Sequence, residues 1–192
     1  MATFLRNPYA MRALKAAFAL GAVMACSCVI APDINEKPPE TLYAPEIDTT
    51  SMYPAFPPFF TLSKDCPSVT FKPTKLKDRN RKDTLYVRWF FDWRPENRYD
   101  ALATYTVFPS GQEERAFPDN ARKILSSSEY PATDVNGYSR VQTLSIFVFD
   151  RVPDPSPGTN GVQFPPGSDG LFTSYTWVFQ VTPDGDCPAS PP

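Results

Sequence analysis

Four cysteines, at positions 26, 28, 66 and 187, are the residues whose type and spacing point to definite chemistry. None sits in a Cys-x-x-Cys pair, so redox or zinc chemistry of that kind has no motif to start from. The 192 residues include no histidine, which excludes Ser-His-Asp and Cys-His nucleophiles and every metal site that needs an imidazole. Carboxylates occur at Glu113, Glu114, Asp119, Asp134, Asp150, Asp154 and Asp169, and their spacing sets no two of them apart. Asp184-Gly-Asp186 and Ser168-Asp-Gly170 read as turns, and calcium loops use denser acidic repeats than these. The expectation is a chain that is not an enzyme and carries no metal or cofactor. Recognition is left to aromatic and guanidinium groups. Trp93 is followed by Arg94-Pro-Glu-Asn-Arg98-Tyr99, so Trp93, Arg94, Arg98 and Tyr99 are a candidate contact for a small ligand or glycan. Phe56, Phe59 and Phe60 are a second candidate, an apolar docking patch.

Cys26 and Cys28 follow a stretch that reads as an address. Residues 1–25 carry Arg6, Arg12 and Lys15 with no acidic residue, then an apolar run from Ala16 to Ala25. That is the anatomy of a secretory signal peptide, and it falls short of the roughly 20 apolar residues a spanning helix needs. Val23-Met24-Ala25-Cys26 resembles the lipobox of bacterial lipoproteins. The resemblance implies that Cys26 receives a diacylglyceryl group and becomes the mature N-terminus. Ala25-Cys26-Ser27-Cys28 fits the pattern as well, with Cys28 as acceptor. Cysteine parity favours Cys28, whereas a position directly after the apolar run favours Cys26, which is taken as the acceptor. Neither is followed by aspartate, so the resemblance points to the outer membrane, reached through the lipid anchor. Without the three basic residues of the leader the chain is more negative than the −2 of the whole sequence, which leaves no basic footprint for nucleic acid.

Residues 26–62 hold prolines at 32, 38, 39, 45, 54, 57 and 58 and read as a tether and an edge segment. Beyond them the signals are those of strands. Thr84–Trp93 is dense in aromatic and β-branched residues, with Leu85, Val87, Trp89, Phe91 and Trp93 on the expected core face. Val141–Asp150 is apolar on both faces over its second half, the mark of a central strand covered on both sides. In Leu171–Thr182, Tyr175, Trp177, Phe179 and Val181 alternate with polar residues. Residues 119–128 read as one short helix with Asp119 as its cap. Residues 109–140 and 151–170 read as long loops, the second holding five prolines and four glycines. Cys66 and Cys187 bracket this region, and in an exported chain they are expected to pair.

The turn with Asp78 and Asp83 followed by Leu-Tyr-Val-Arg-Trp-Phe-Phe-Asp92 resembles immunoglobulin-like domains of the PKD or cadherin-like kind. Leu144–Asp150 and Tyr175–Val181 resemble the last two strands of that fold. The expected architecture is an all-β, immunoglobulin-like antiparallel sandwich over residues 63–192, after a leader (1–25) and a tether (26–62). Leader, tether and single sandwich together resemble bacterial lipoproteins that display one such domain. That implies a non-catalytic binding or structural role at the cell envelope, with envelope proteins (docking through residues 53–62) or polysaccharide as partners.

Overall fold

The alternation of aromatic and β-branched residues becomes strand wherever it was strongest. The computed structural model describes residues 42–55, 59–97, 100–156 and 161–189. Within them the strands are β1 (Glu46–Ile47), β2 (Met52–Tyr53), β3 (Phe59–Ser63), β4 (Ser68–Pro73), β5 (Lys75–Lys77) and β6 (Leu85–Phe91). They continue with β7 (Ala103–Val107), β8 (Glu114–Ala116), β9 (Lys123–Ser126), β10 (Gln142–Phe149) and β11 (Phe172–Thr182). Five of them form one sheet in the order β3-β11-β10-β6-β7. Two three-stranded sheets, β2-β4-β9 and β1-β5-β8, complete an all-β, sandwich-like arrangement. Among the described residues no helix is long and apolar enough to cross a membrane.

The large sheet buries both faces. On one, Val87 and Trp89 of β6, Ile146 of β10 and Phe179 of β11 meet Phe71 of β4 and Leu125 of β9. The Phe71 ring lies 5.6 Å from Trp177 and 5.9 Å from Phe179, which locks the small sheet onto the large one. On the other face Phe90, Phe147 and Phe149 form a second cluster with Val162 and Phe164. Those last two come from the 151–170 connection, which folds back over the sheet. The doubly apolar pattern of 141–150 is thereby explained, since β10 is the middle strand and is covered on both sides.

Four expectations need correction. The sandwich is not wholly antiparallel, because β3 pairs parallel with β11, from Phe59 against Val178 to Ser63 against Thr182. These are the first and last strands of the large sheet, and the chain leaves β3 for the opposite layer before returning. The expected helix at 119–128 is instead a 3-10 turn (Asp119–Ala121), strand β9 and a second 3-10 turn (Ser127–Glu129). A free edge on β4 overrides weak helix propensity there, pairing Val69 with Leu125 and burying the latter. The second turn closes on itself, as Lys123 and the Ser126 amide hold the Glu129 carboxylate and lower its pKa to about 2. The 109–140 connection therefore contains β8 and β9, each paired to a strand of a small sheet. Last, Trp93 lies on the opposite face from Leu85, Val87 and Trp89, with the second cluster. Asp92 takes a φ of 49°, a left-handed turn of the backbone that ends the alternation one residue early.

Cys66 and Cys187 are joined by a disulfide, as expected, across a sequence separation of 121. The bridge fastens the C-terminal segment along β3. The Ser63 N–H donates to Asp186 O and the Asp186 N–H to Thr61 O, both at 3.1 Å. Gly185 makes the approach possible, because a Cβ there would stand 2.3 Å from the carbonyl carbon of Leu62.

Candidate functional site

The kink at Asp92 builds a cleft that coincides with a site expected from sequence. Asp92 Oδ1 accepts from the Thr143 N–H at 2.8 Å, and the Asp92 N–H donates to Thr143 O at 2.8 Å. Asp92 Oδ2 receives Arg140 at 3.0 Å. This double tie fixes the end of β6 against β10 and turns Trp93 over, so that its ring packs edge-on to Phe147 with centroids 4.9 Å apart. The result is a cleft of about 340 Å³ lined by Asp92, Trp93, Arg94, Arg140, Val141 and Thr143. An indole, two guanidinium groups, a carboxylate and a threonine can stack a sugar ring and hydrogen-bond its hydroxyls. A single carboxylate already engaged by a guanidinium and an amide offers no second group for acid–base work.

Of the expected ligand contacts, Trp93 and Arg94 lie at this cleft, Trp93 half-buried and Arg94 exposed. Arg98 and Tyr99 fall outside the described residues. Sequence reasoning missed Arg140 and Asp92. The break of alternation at Asp92 was a usable signal for one, but nothing local placed Arg140, nearly fifty residues away, beside it. The docking patch fares differently. Phe60 is 6% exposed and stacks on Phe179 in the core, so it is no surface residue, and Phe59 is left half-exposed. Strand pairing with β11 turns alternate residues of β3 inward, which decides between the two. Phe56 lies outside the described residues, as do Cys26 and Cys28.

A second group of charges lies at the turn after β5. Asp78 and Arg115 form an ion pair at 2.9 Å with both side chains buried. Arg115 also donates to the carbonyls of Asp83 and Asn80, and Asp78 Oδ1 accepts from the Asn80 N–H. Arg151 reaches Asp83 at 3.1 Å. Nearby, Asp150 is buried, with Oδ1 accepting from the Leu171 N–H at 2.7 Å and Oδ2 making no hydrogen bond. Burial pushes the carboxyls of Asp78 and Asp150 above the usual range, against the pull of hydrogen bonds and of Arg115 and Arg151. Each guanidinium is committed to the turn it holds, and this corner reads as a structural staple. Among the described residues no group of three His, Cys, Asp or Glu is arranged to hold a metal ion.

Asp150 yields a prediction. Its folded pKa lies above the unfolded value, so the wild-type fold loses stability as pH rises from the ordinary carboxylate range through the raised one. Asp150→Asn keeps an oxygen for Leu171 and removes the buried charge. It is expected to raise the urea midpoint at pH 7, with the gain fading below the ordinary carboxylate pKa. A midpoint lowered at pH 7 counts against this account.

Arg88 explains why the 151–170 connection is not a free loop. Its guanidinium donates to the carbonyls of Pro153, Asp154 and Gly161 at 2.7–3.3 Å, pinning the connection over the sheet. No protein-family model matches the chain, and no curated protein matches it either.

Proposed function

We propose that this protein is an envelope lipoprotein, anchored through acylated Cys26 (Cys28 being the alternative), that displays a non-catalytic immunoglobulin-like domain at the outer membrane. The observation that carries the reading is the Cys66–Cys187 bridge. A disulfide closing the whole domain belongs to an oxidising compartment. The positively charged, then apolar leader that ends at Cys26 supplies the route there. The strand order supports the immunoglobulin-like part. β6, β10 and β11 stand as the C, F and G strands, β7 as an added neighbour of C, and β4 and β9 as a B–E pair in the other layer. Trp89 on β6 occupies the place of the buried tryptophan between sheets, its indole N–H donating to Ala121 O at 2.9 Å.

Mass spectrometry of the protein from its own membrane fraction, without reductant, tests the reading. An acylated N-terminal Cys26 or Cys28 together with an intact 66–187 peptide pair is the expected result. An unacylated chain with free thiols removes the proposal.

The Asp92–Arg140 cleft favours a second reading, a polysaccharide-binding module. It expects signal on a glycan array that Trp93→Ala abolishes while the folding stability from urea unfolding stays within about 1–2 kcal/mol of wild type, since the ring is only half-buried. Signal unchanged by Trp93→Ala moves the glycan elsewhere. Docking of an envelope protein through residues 53–62 keeps Phe59 as its exposed aromatic among the described residues.

A further inference from the structure

Among the described residues six strand edges bound the three sheets, and five of them are guarded. The outer edge of β3 is covered by Asp186 and the C-terminal segment. β1 and β2 have two residues each, β8 has three and carries the half-exposed Glu114, and β9 carries Lys123. Covering, shortness and charge are the devices that keep an edge from pairing with another chain. β7 has none of them. It is five residues long, holds neither proline nor charge, and pairs with no described strand on its outer side. The uncharged run containing it extends from Ala101 to Gln112. Leu102 and Phe108, just before and just after the strand, are 49% and 75% exposed.

We propose that β7 is the interface of a homodimer, in which the β7 strands of two copies pair antiparallel about a two-fold axis at Tyr105. The two five-stranded sheets then become one continuous sheet. The spacing of the exposed residues selects a second copy as the occupant. Leu102 and Phe108 each lie three residues from Tyr105. The axis therefore sets Leu102 of one copy opposite Phe108 of the other, twice over by symmetry. Ala103 meets Val107 and Thr104 meets Thr106 in the same register. An isologous contact brings residues near the axis against their own kind, so a charge there would face its equal. The run 101–112 contains none, and the charges beside Tyr105, those of Asp119, Arg122 and Lys123, line the neighbouring cleft and are of both signs. Clefts of about 250, 410 and 560 Å³ flank the strand at Thr104, Tyr105 and Thr106, and leave room for side chains of an added strand.

The test is sedimentation velocity on the full chain in detergent, over a concentration series, with two double variants. The wild type is expected to dimerise. Leu102→Glu with Phe108→Glu puts like charges opposite each other and is expected to weaken association at least about tenfold. Leu102→Lys with Phe108→Glu puts opposite charges in the same places and is expected to restore the dimer. Both positions are exposed, and urea unfolding is the control that each variant is folded. A wild type that stays monomeric at every concentration overturns the proposal, even if it binds an extended peptide. So does a Glu/Glu variant that sediments like wild type, or a Lys/Glu variant no stronger than Glu/Glu.

Discussion

Replacing Arg115 by Met is expected to cost about 3–5 kcal/mol of folding stability, because it strands a buried carboxylate without its partner. Asp78 is 0% exposed at its side chain and Arg115 is 2%, so no water replaces the lost guanidinium. The carbonyls of Asp83 and Asn80 lose their donor in the same step. Those bonds hold the 78–83 turn to β8, and the turn in turn delivers the chain into β6. The pH dependence identifies the cause. The Asp78 carboxyl is already raised by burial, and losing Arg115 raises it further. Its folded pKa then lies well above the unfolded one, so the variant's stability falls as pH rises through that window. The deficit relative to wild type is expected to be largest at pH 7 and to shrink toward pH 4, as Asp78 takes up a proton and becomes neutral. A deficit equal at both pH values would assign the loss to packing instead. Arg115→Met with Asp78→Leu is expected to recover part of the stability, since an apolar pair needs no compensation, but not all of it, because the two carbonyls stay unpaired. Urea unfolding at two pH values measures all of this.

That corner also shows where sequence reasoning reaches its limit. Asp78 and Asp83 stood out as turn residues, and they are, but the partner that makes Asp78 tolerable in the interior comes from β8, 37 residues on. Charge in a short run reads as solvated loop until a long-range pairing buries it. The same holds for β9. Lys123–Ser126 has no strand-like alternation strong enough to be seen alone, and it is a strand because β4 offers an edge. By contrast β6, β10 and β11 were legible, since each has enough apolar residues to declare its face or faces without help from a neighbour. Of the candidate site, Trp93 and Arg94 were legible as a strand-end pair. The cleft itself was not, because it depends on the backbone reversal at Asp92 and on Arg140, just ahead of β10, being brought beside it by the β6–β10 pairing.

Removing the clasp, by Cys66→Ser with Cys187→Ser, is expected to cost up to about 4–5 kcal/mol, the chain-entropy value for a closed loop of 121 residues. In that account the bridge acts on the unfolded chain, which it keeps compact. The urea m-value should then rise when it is removed, as the unfolded state expands and exposes more surface. Gly185→Ala provides the contrast, because it acts on the folded state. Its Cβ would press on the Leu62 carbonyl carbon and the Ser63 nitrogen, both backbone atoms that cannot step aside like the end of a flexible side chain. The expected result is a lower midpoint with an unchanged m-value. The two changes should also couple, since Gly185 lies two residues from the bridge. With the disulfide intact the C-terminal segment is held against β3 and the added methyl has nowhere to go. With the disulfide gone the segment can lift away, so Gly185→Ala should cost less in the cysteine-free background than in wild type. Equal costs in both backgrounds would mean that the backbone hydrogen bonds of Asp186 hold the segment in place without the bridge.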